Sequence, residues 1–266
     1  MRLSRRSFLA SGAATVAGVT VAPMMASGAG HGTDLTFDTA GGLVKVHPVS
    51  HASVVMETPR GVLYIDPVGA SDAYAGKPAP DLVLVTHEHG DHYNAETIAA
   101  VRGDAPMVVN PRVMELMPET LKPGTTVLAN GDSGVALDIG IDAIPAHNTT
   151  EGRMQFHPPG RDNGYVLTMG AYRVYISGDT EDIPEMRALQ NIDLAFLCMN
   201  LPFTMGVDQA ADAVREFRPG VVIPYHYRGR GEGTQDPKEF AALVGDASEV
   251  RFGEWYDPPL HDHDHG

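Results

Sequence analysis

Short apolar runs separated by turn residues recur along most of the chain, beginning at Leu43. These runs are rich in β-branched residues and end near Gly, Pro, Asn or Asp, which predicts strands. The predicted strands are 43–46, 53–57, 62–65, 82–85, 106–109, 125–128, 135–138, 141–145, 164–169, 172–176, 193–198, 220–224 and 249–252. Helical segments are predicted between them, at about 94–102, 111–117, 182–190, 207–217 and 237–244. Strands interrupted by single helices predict an α/β fold in which two sheets pack face to face with helices outside.

Polar residues gather where the predicted strands end. Asp66 follows the strand 62–65, and Thr86 and His87 follow the strand 82–85. In α/β proteins the loops at strand ends carry binding and catalytic residues. The sequence therefore predicts a functional site at one edge of the sheets.

The first thirty residues differ in character from the rest of the chain. Arg5 and Arg6 precede an uncharged, mildly apolar segment, 11–25, which is typical of an export signal. The adjacent arginines resemble a twin-arginine signal, so we expect export by that pathway to the periplasm or the extracellular space. The apolar segment is too short, and too rich in Gly, Ala, Ser and Thr, for a stable membrane anchor.

The predicted chain organisation has three parts. Residues 1–30 form the export signal, and residues 31–257 form one folded domain. Residues 258–266 form a disordered tail in which His and Asp alternate. Such a tail can add solubility or collect metal ions.

Acidic residues outnumber basic ones in the 266 residues of the chain. The 34 Asp and Glu stand against 19 Lys and Arg, which gives a formal charge of −15. Nucleic acids bind basic surfaces, so we expect no nucleic-acid partner. The single cysteine, Cys198, lies in an apolar run and cannot form an internal disulfide, which predicts a buried core residue.

One string between a predicted strand and a predicted helix carries most of the candidate chemistry. Three histidines and two acids lie within residues 86–92: His87, Glu88, His89, Asp91 and His92. Neutral imidazoles and carboxylates are preferred ligands of Zn²⁺ and of other divalent ions. His87 and His89 can project to one side of the turn, whereas Asp91 and His92 can serve a second position after Gly90. The string therefore predicts a metal site.

The pattern His87-x-His89-x-Asp91-His92 resembles the signature of the metallo-β-lactamase superfamily. Three later strands end in further metal-ligand types, in the family's order: His147, Asp179 and His226. The resemblance covers about residues 43–252. It implies an α/β fold of the αββα type, a four-layer sandwich.

Smaller details are similar to one subgroup of that superfamily. The strings His51-Ala52-Ser53 and Ile65-Asp66-Pro67 are similar to the subgroup that contains ascorbate-phosphate lactonase. That subgroup consists of compact single-domain hydrolases. The resemblance therefore implies that residues 31–257 form a hydrolase domain.

The resemblance also implies a pair of divalent metal ions. It assigns His87, His89 and His147 to the first ion, Asp91, His92 and His226 to the second, and Asp179 to a bridge between them. Zinc is the expected metal, with manganese or iron as alternatives, because His and Asp ligands do not select strictly among these ions.

A metal pair of this kind implies hydrolytic chemistry. Two ions can share a water, lower its pKa and deliver hydroxide to a lactone, an ester or a phosphodiester. Asp91 is the candidate general base, because one of its oxygens can orient the hydroxide or take its proton. The ligand set leaves net positive charge on the ions, so we expect a small-molecule substrate that is anionic or polarised.

Two residues near the strand ends each have two interpretations. Asp66 can accept the second ring proton of a ligand histidine, or it can cap a turn. His51 can face the metals, or it can pack in the interior.

The surroundings of the later ligands contain candidates for substrate contacts. Tyr227 and Arg228 follow His226 directly, and either can contact the substrate or serve as an ordinary surface residue. The polar loop 149–157, which ends at His157, is the candidate for substrate recognition.

Two other functions fit the same residues. An exported protein of this fold can bind metal without turnover, an alternative favoured by the tail residues His261, His263 and His265. A β-lactamase is the other alternative, although zinc β-lactamases as a family commonly place a cysteine at the second metal and lack the Asp91-His92 pair. Chelator-sensitive turnover of chromogenic substrates separates an enzyme from a metal-binding protein.

Overall fold

The structure, a computed structural model, describes residues 35–256. The predicted export signal at 1–30 and the predicted tail at 258–266 lie outside the described residues. Between residues 35 and 256, no helix has both the length and the apolar character needed to cross a membrane.

Seven strands in the described part of the chain form the first sheet. They are β1 (Thr36–Thr39), β2 (Gly42–Ser50), β3 (Ser53–Thr58), β4 (Gly61–Ile65), β5 (Leu82–Val85), β6 (Met107–Val109) and β7 (Thr125–Val127). Strands β1 to β4 pair antiparallel, whereas β4 to β7 pair parallel. Tight turns join the antiparallel strands, and longer crossover segments join the parallel ones, as strand geometry requires.

The second sheet repeats this arrangement with seven strands from the later part of the described chain. They are β8 (Ser133–Ala136), β9 (Ile139–Ala146), β10 (Asp162–Met169), β11 (Tyr172–Ile176), β12 (Leu194–Cys198), β13 (Val221–Tyr225) and β14 (Glu249–Val250). Strands β8 to β11 pair antiparallel, and β11 to β14 pair parallel. Each sheet is therefore mixed.

Five α-helices lie within residues 35–256: α1 (Ala95–Val101), α2 (Pro111–Leu116), α3 (Pro184–Arg187), α4 (Val207–Phe217) and α5 (Pro237–Val244). Helices α2, α3 and α5 begin with proline, whose missing N–H costs no bond in the first turn. Asn94 and Asn110 cap α1 and α2, because their side-chain oxygens accept the backbone N–H groups of Thr97 and Val113.

Alternate residues of β5 pack into two different cores. Leu82 and Leu84 belong to the larger core, which joins both sheets and includes residues of α3, α4 and α5. Val83 and Val85 belong to a smaller core that contains Ile98 of α1 and residues of α2. Both faces of the strand are buried, so its sequence is continuously apolar instead of alternating. The predicted arrangement of two sheets face to face with helices outside is confirmed.

The ends of several strands share one edge of this sandwich. In the first sheet, the segments after β2, β4 and β5 lie there. In the second sheet, the segments after β11, β12 and β13 end at the same edge. Because β11, β12 and β13 are parallel neighbours, the residues that follow them necessarily lie side by side.

Candidate metal centre

The string at 86–92 forms a tight turn between β5 and α1. The N–H groups of His92 and Tyr93 donate to the carbonyl of His89 at 2.9 and 2.8 Å. Asn94 then caps α1, so the helix starts directly behind the turn. The turn leaves 3.2 Å between His87 Nε2 and His89 Nδ1.

Side chains from the second sheet join this string. Within residues 35–256, three groups have ligand atoms that lie within 4.8 Å of one another: His87, His89 and His157; His87, His92 and Asp179; His51, Asp91 and His226. Six of the seven predicted ligands are thus brought together. The seventh, His147, belongs to none of the three groups.

Asp179 lies between the histidines of the site. Its Oδ2 is 3.4 Å from His157 Nε2. Its Oδ1 is 3.3 Å from His92 Nε2 and 3.5 Å from His226 Nε2. One carboxylate therefore presents a different oxygen to each side of the site.

Gly178 allows the chain to present Asp179 in this way. Its φ is +59°, a left-handed backbone conformation that favours glycine. A Cβ at this position would lie 2.6 Å from the carbonyl oxygen of Asn163, which is too close for any other residue. The turn after β11 therefore requires glycine immediately before the carboxylate.

Two carboxylates hold histidines of the site from behind. Asp66 Oδ2 is 2.8 Å from His92 Nδ1, and Asp162 Oδ2 is 2.9 Å from His157 Nδ1. An ionised carboxylate only accepts hydrogen bonds, so Nδ1 of each ring carries a proton and Nε2 faces the site. Asp66 Oδ1 also accepts the backbone N–H of Thr86 at 2.7 Å, so Asp66 contacts a site histidine and stabilises the turn as well.

His51 connects the site to the far end of the described chain. Its Nε2 is 3.5 Å from Asp91 Oδ2, and its Nδ1 is 2.7 Å from the hydroxyl of Tyr256. The ring of His51 packs 3.8 Å from that of His226, centroid to centroid. Of its two predicted environments, His51 therefore occupies the one beside the site.

Three residues of the site have left-handed backbone conformations. His51, Asp66 and His226 have φ values of 50°, 46° and 51°. A residue other than glycine costs about 1–3 kcal/mol in such a conformation, and positions of this kind concentrate at functional sites. The fold therefore holds these three side chains at the site against a local conformational preference.

The loop after β9 brings His157, and not His147, to His87 and His89. Asn148 N–H donates to the carbonyl of His157 at 2.8 Å, so the loop returns to its starting point. The ring centroid of His157 then lies 5.0 Å from that of His87 and 4.8 Å from that of His89. His147 is half-buried, and its Nδ1 has no hydrogen-bond partner among the described residues.

The donor atoms fit a metal ion. Because Asp66 holds the proton of His92 on Nδ1, the lone pair of Nε2 faces an oxygen lone pair of Asp179 across 3.3 Å. Both atoms are buried, and neither has a hydrogen-bond partner among residues 35–256. Unsatisfied buried polar atoms cost about 1–3 kcal/mol each, and a cation between them removes that cost.

The charges around the site shift the pKa values of its residues. Burial opposes a charge on His157, but the hydrogen bonds that its ring donates to the Asp162 and Asp179 carboxylates outweigh burial and raise its pKa to about 9. Burial likewise opposes a charge on His92, yet the Asp179 and Asp66 carboxylates raise its pKa well above the usual value. Without a metal, a proton therefore takes the place of the cation on these rings, and metal binding must displace it.

Asp91 stays ionised for a related reason. Burial opposes its charge, but the hydrogen bonds with His226 and His51 hold the pKa of its carboxyl far below the usual range. At His87, burial and the charge of the neighbouring His92 outweigh the attraction of Asp179 and lower the pKa of the ring well below its usual value. His87 is therefore a neutral imidazole, the form that binds metal ions.

The other predicted site residues lie farther from the three groups. Tyr227 is buried and packs edge-on against Tyr256, with ring centroids 4.9 Å apart. Arg228 is exposed and lies over the same ring, with its guanidinium carbon 4.3 Å from the ring centroid. Cys198, which the sequence predicts as a core residue and not as a site residue, is buried in β12, where desolvation raises the pKa of its thiol to about 12.

A cavity of about 180 Å³ opens onto the site. Its lining contains His89, Asp91, His157, Asp179, His226, Phe156, Phe203 and Asn200. Phe156 and Phe203 meet edge to face, with ring centroids 5.1 Å apart, and form an apolar wall. The predicted recognition loop 149–157 contributes to this wall through Phe156.

Sequence reasoning missed several residues that support the site. Asp162 and Tyr256 have ordinary sequence surroundings, so no pattern in the chain points to them. Asn200 begins a string, 200–205, that is similar to the same lactonase subgroup, but that similarity assigns Asn200 no role at the site. Asn148 is also buried, and its side-chain amide donates to the carbonyls of Arg153 and Phe203. It thereby ties the recognition loop to the segment after β12. The nearest sequence signal is the short distance between His157 and Asp162.

Comparisons with known proteins agree with this architecture. A family model described as a beta-lactamase superfamily domain matches residues 45–226. A UPF0173 metal-dependent hydrolase from Thermococcus onnurineus is 34% identical over 218 residues, which cover 78% of this chain and 95% of that relative.

Solved structures are similar as well. The crystal structure of a proposed metal-dependent hydrolase from Parabacteroides distasonis is 40% identical, with a TM-score of 0.73, and the match covers 82% of this chain and 96% of that one. The metallo-beta-lactamase fold protein YhfI from Bacillus subtilis is 15% identical, with a TM-score of 0.58 over 83% of this chain and 92% of that one, a likeness that shows the fold alone. The chain therefore belongs to the metallo-β-lactamase superfamily and, within it, to the UPF0173 metal-dependent hydrolase family.

Proposed function

We propose that this protein is a dinuclear hydrolase in which Asp179 bridges two divalent metal ions. The observation that carries the proposal is the position of its two oxygens, Oδ2 toward His157 and Oδ1 toward His92 and His226. A carboxylate that faces imidazoles on both sides can bind two cations at once. The family relationship supports metal dependence, and the geometry supports two ions instead of one.

The proposed ligand set differs from the predicted set at one position. His87, His89 and His157 would hold the first ion, and Asp91, His92 and His226 would hold the second. His157 replaces His147 because its Nε2 faces Asp179 while Asp162 holds its Nδ1. A histidine held by a carboxylate from behind is typical of metal ligands.

The ligand types favour zinc, with manganese or iron as alternatives. A bound pair of such ions supplies a Lewis acid and lowers the pKa of a water toward neutrality. Asp91 lines the cavity, and its contacts with His226 and His51 run through Oδ2. Its Oδ1 can therefore orient the attacking water and accept its proton, which is the role of a general base.

The cavity supports a small substrate. Its volume of about 180 Å³ is below the range of about 300–1,000 Å³ that is common for drug-sized ligands. The apolar wall of Phe156 and Phe203 faces the charged residues across it, which fits a compact molecule with one polarised group. We propose a lactone, an ester or a phosphodiester as the substrate class, and no nucleic-acid partner.

The proposal is tested by metal content and turnover together. The loaded protein is expected to contain about two divalent ions per chain, the number typical of such sites. It is expected to hydrolyse p-nitrophenyl acetate, dihydrocoumarin or bis(p-nitrophenyl) phosphate, and a chelator should abolish that turnover. The Asp91→Asn variant should keep both ions and lose turnover.

Two outcomes would redirect the proposal. Two bound ions without turnover of any probe would favour a metal-binding protein, and turnover of nitrocefin in preference to the three probes would favour a β-lactamase. Full activity in Asp91→Asn with both ions present would remove Asp91 from the general-base role.

We also propose export through the twin-arginine pathway, on the basis of Arg5 and Arg6. Replacing both arginines with lysine keeps the positive charge and should retain the protein in the cytoplasm. Cell fractionation measures this. Unchanged export of the lysine variant would indicate a signal of the general secretory type.

A further inference from the structure

Asn200 occupies a central position among the residues of the site. Strand β12 lies between β11 and β13, and all three are parallel. Asp179 follows β11, and His226 follows β13. Asn200 follows β12, so the topology places it between two residues of the metal centre.

The side chain of Asn200 has a donor without a partner. The residue is 2% exposed and lines the cavity together with the cluster residues. Its Oδ1 accepts the hydroxyl of Thr204 at 2.6 Å, whereas no described residue accepts a hydrogen bond from its Nδ2. The amide of a nearly buried side chain normally has partners for its donors, so an N–H that faces a cavity from such a side chain points to a ligand atom.

Thr204 fixes which end of the amide is free. The Thr204 hydroxyl accepts the backbone N–H of Asn200 at 2.9 Å and donates its proton to Asn200 Oδ1 at 2.6 Å, which is much closer than its other acceptor, the Asn200 carbonyl at 3.3 Å. Thr204 N–H also donates to the Asn200 carbonyl at 2.8 Å. Thr204 is fully buried, and these bonds hold the Asn200 amide in one orientation with Nδ2 as the free end.

The backbone beside Asn200 is held as well. Leu201 N–H donates to the carbonyl of Gly233 at 2.9 Å, and Asn200 pairs with Thr234 as an isolated antiparallel bridge. A Cβ at Gly233 would lie 1.9 Å from the carbonyl oxygen of Leu201, so the two segments pack backbone to backbone. Asn200 is therefore a preorganised donor and not a mobile loop residue.

We propose that Asn200 is a catalytic residue whose Nδ2 donates a hydrogen bond to the substrate oxygen on which negative charge develops. This role rests on the proposed hydrolytic function. The oxygen of the attacking water forms a bond to the carbonyl carbon or phosphorus, and the bond to the leaving oxygen breaks. The water proton passes to the leaving oxygen, while Nδ2–H stabilises the charge on the carbonyl or phosphoryl oxygen. Thr204 acts as a positioning residue.

The substrate class follows from the donor. A neutral amide donates to a carbonyl or phosphoryl oxygen, and it has no charge with which to bind a separate anionic group. The acceptor must lie close to the scissile bond, because Asn200 shares its small cavity with Asp91 and Asp179. Compact esters and lactones therefore fit the site best.

The kinetic test compares Asn200→Ala and Asn200→Asp with the wild type, all loaded with zinc. Removing one donor of this kind lowers kcat by about 100-fold in other hydrolases, and we expect a loss of that size on p-nitrophenyl acetate or dihydrocoumarin, with little change in KM. Elemental analysis should show unchanged metal content. A kcat of Asn200→Ala close to that of the wild type would overturn the proposal.

Thr204 provides a matched pair of variants. Thr204→Val keeps the shape and removes the hydroxyl, so the amide loses its fixed orientation and kcat should fall. Thr204→Ser keeps the hydroxyl and should restore most of the rate. If Asn200→Ala does not fold or loses metal, this pair decides, and equal rates for the two variants would contradict the proposal.

A binding measurement is independent of turnover. Methylphosphonate presents tetrahedral oxygens similar to those of the transition state, and calorimetry measures its affinity for the zinc-loaded protein. Loss of one hydrogen bond to a charged ligand predicts about tenfold weaker binding to Asn200→Ala. Equal affinities of the wild type and Asn200→Ala would overturn the role of Asn200. If the wild type hydrolyses none of the probes, that result counts only against the proposed hydrolytic function, and the comparison of affinities still tests Asn200.

Discussion

The two sheets have the same strand arrangement but contribute to the metal centre in different ways. In each sheet the first four strands are antiparallel and the last four are parallel. The first sheet supplies His87, His89, Asp91 and His92 from one turn after β5. The second sheet supplies His157, Asp179 and His226 from three separate loops.

This difference shows that the two halves of the metal centre, the ligands from the first sheet and those from the second, are brought together in different ways. A single turn can present several ligands because neighbouring residues are tethered to each other. Residues on separate loops meet only when the strands that carry them have a fixed order and register, as β10, β11 and β13 do. The second half therefore depends more on tertiary structure than the first.

Asp179 is where the two halves meet, and its removal should have the largest effect. Asp179→Ala removes the carboxylate that faces both groups of imidazoles, so both ions should be lost and turnover should fall to background. Elemental analysis and a turnover assay measure the result. Asp212→Ala, an exposed carboxylate paired with Arg187 and Arg215, makes the same change in charge and should behave as the wild type.

A different loss would change the assignment of the bridge. If Asp179→Ala keeps one ion at full occupancy, Asp179 belongs to one metal position only. The two halves would then bind their ions independently.

The pair His157→Ala and His147→Ala tests the loop that distinguishes the second half. His157→Ala should empty the first metal position, because His87 and His89 would have no third imidazole. His147→Ala makes the same change in size and should keep both ions. Elemental analysis of both variants measures this, and the reverse pattern would return the ligand role to His147.

The carboxylates behind the histidines allow a direct comparison of the halves. Asp66→Asn and Asp162→Asn each replace the carboxylate beside a ring Nδ1 with a neutral amide that has one acceptor oxygen instead of two, and such changes weaken metal binding by about 10–100-fold. Competition with a chelator measures the affinity. Asp142→Asn, whose side chain contacts Ser133 away from the site, is the control. An effect in only one variant would mean that only that half relies on a carboxylate to orient its histidine.

Tyr256→Phe should have the smallest effect. The variant removes one hydroxyl that contacts His51 Nδ1 and accepts the backbone N–H of Arg228, so His51 and Asp91 become less well oriented. Loss of one hydrogen bond predicts a two- to tenfold lower kcat, at about 0.5–1.5 kcal/mol, with both ions retained. Steady-state kinetics measure it. Tyr172→Phe, at the opposite end of β11 from Asp179, should leave kcat unchanged, and an equal loss in both variants would remove the specific role of Tyr256.

Most strands could be predicted because the pattern of apolar residues that forms them is local in the sequence. The run 82–85 is apolar throughout since both of its faces are buried, and β5 has the predicted bounds. Strand β1 was missed because Thr36–Thr39 has a mixed sequence that only pairing with β2 makes a strand. The predicted helix 182–190 is shorter, because only Pro184–Arg187 is helical and the chain turns at Asn191, with φ of 54°, before β12 begins.

The candidate metal centre likewise has one part that the local sequence predicts and another that it does not. The string at 86–92 determined by itself that a metal centre follows β5, because its ligands are neighbours in sequence and a strand-to-helix turn presents them together. The fold class also followed from local patterns of apolar residues. Only the tertiary structure decided that His157 joins His87 and His89, that Asp66 and Asp162 hold their histidines, and that Asn200 lies between the flanking strands. These positions depend on how a loop closes and which strands are adjacent. Even where two partners are near in sequence, as His157 and Asp162 are, no local preference of the chain determines that their side chains meet at the site.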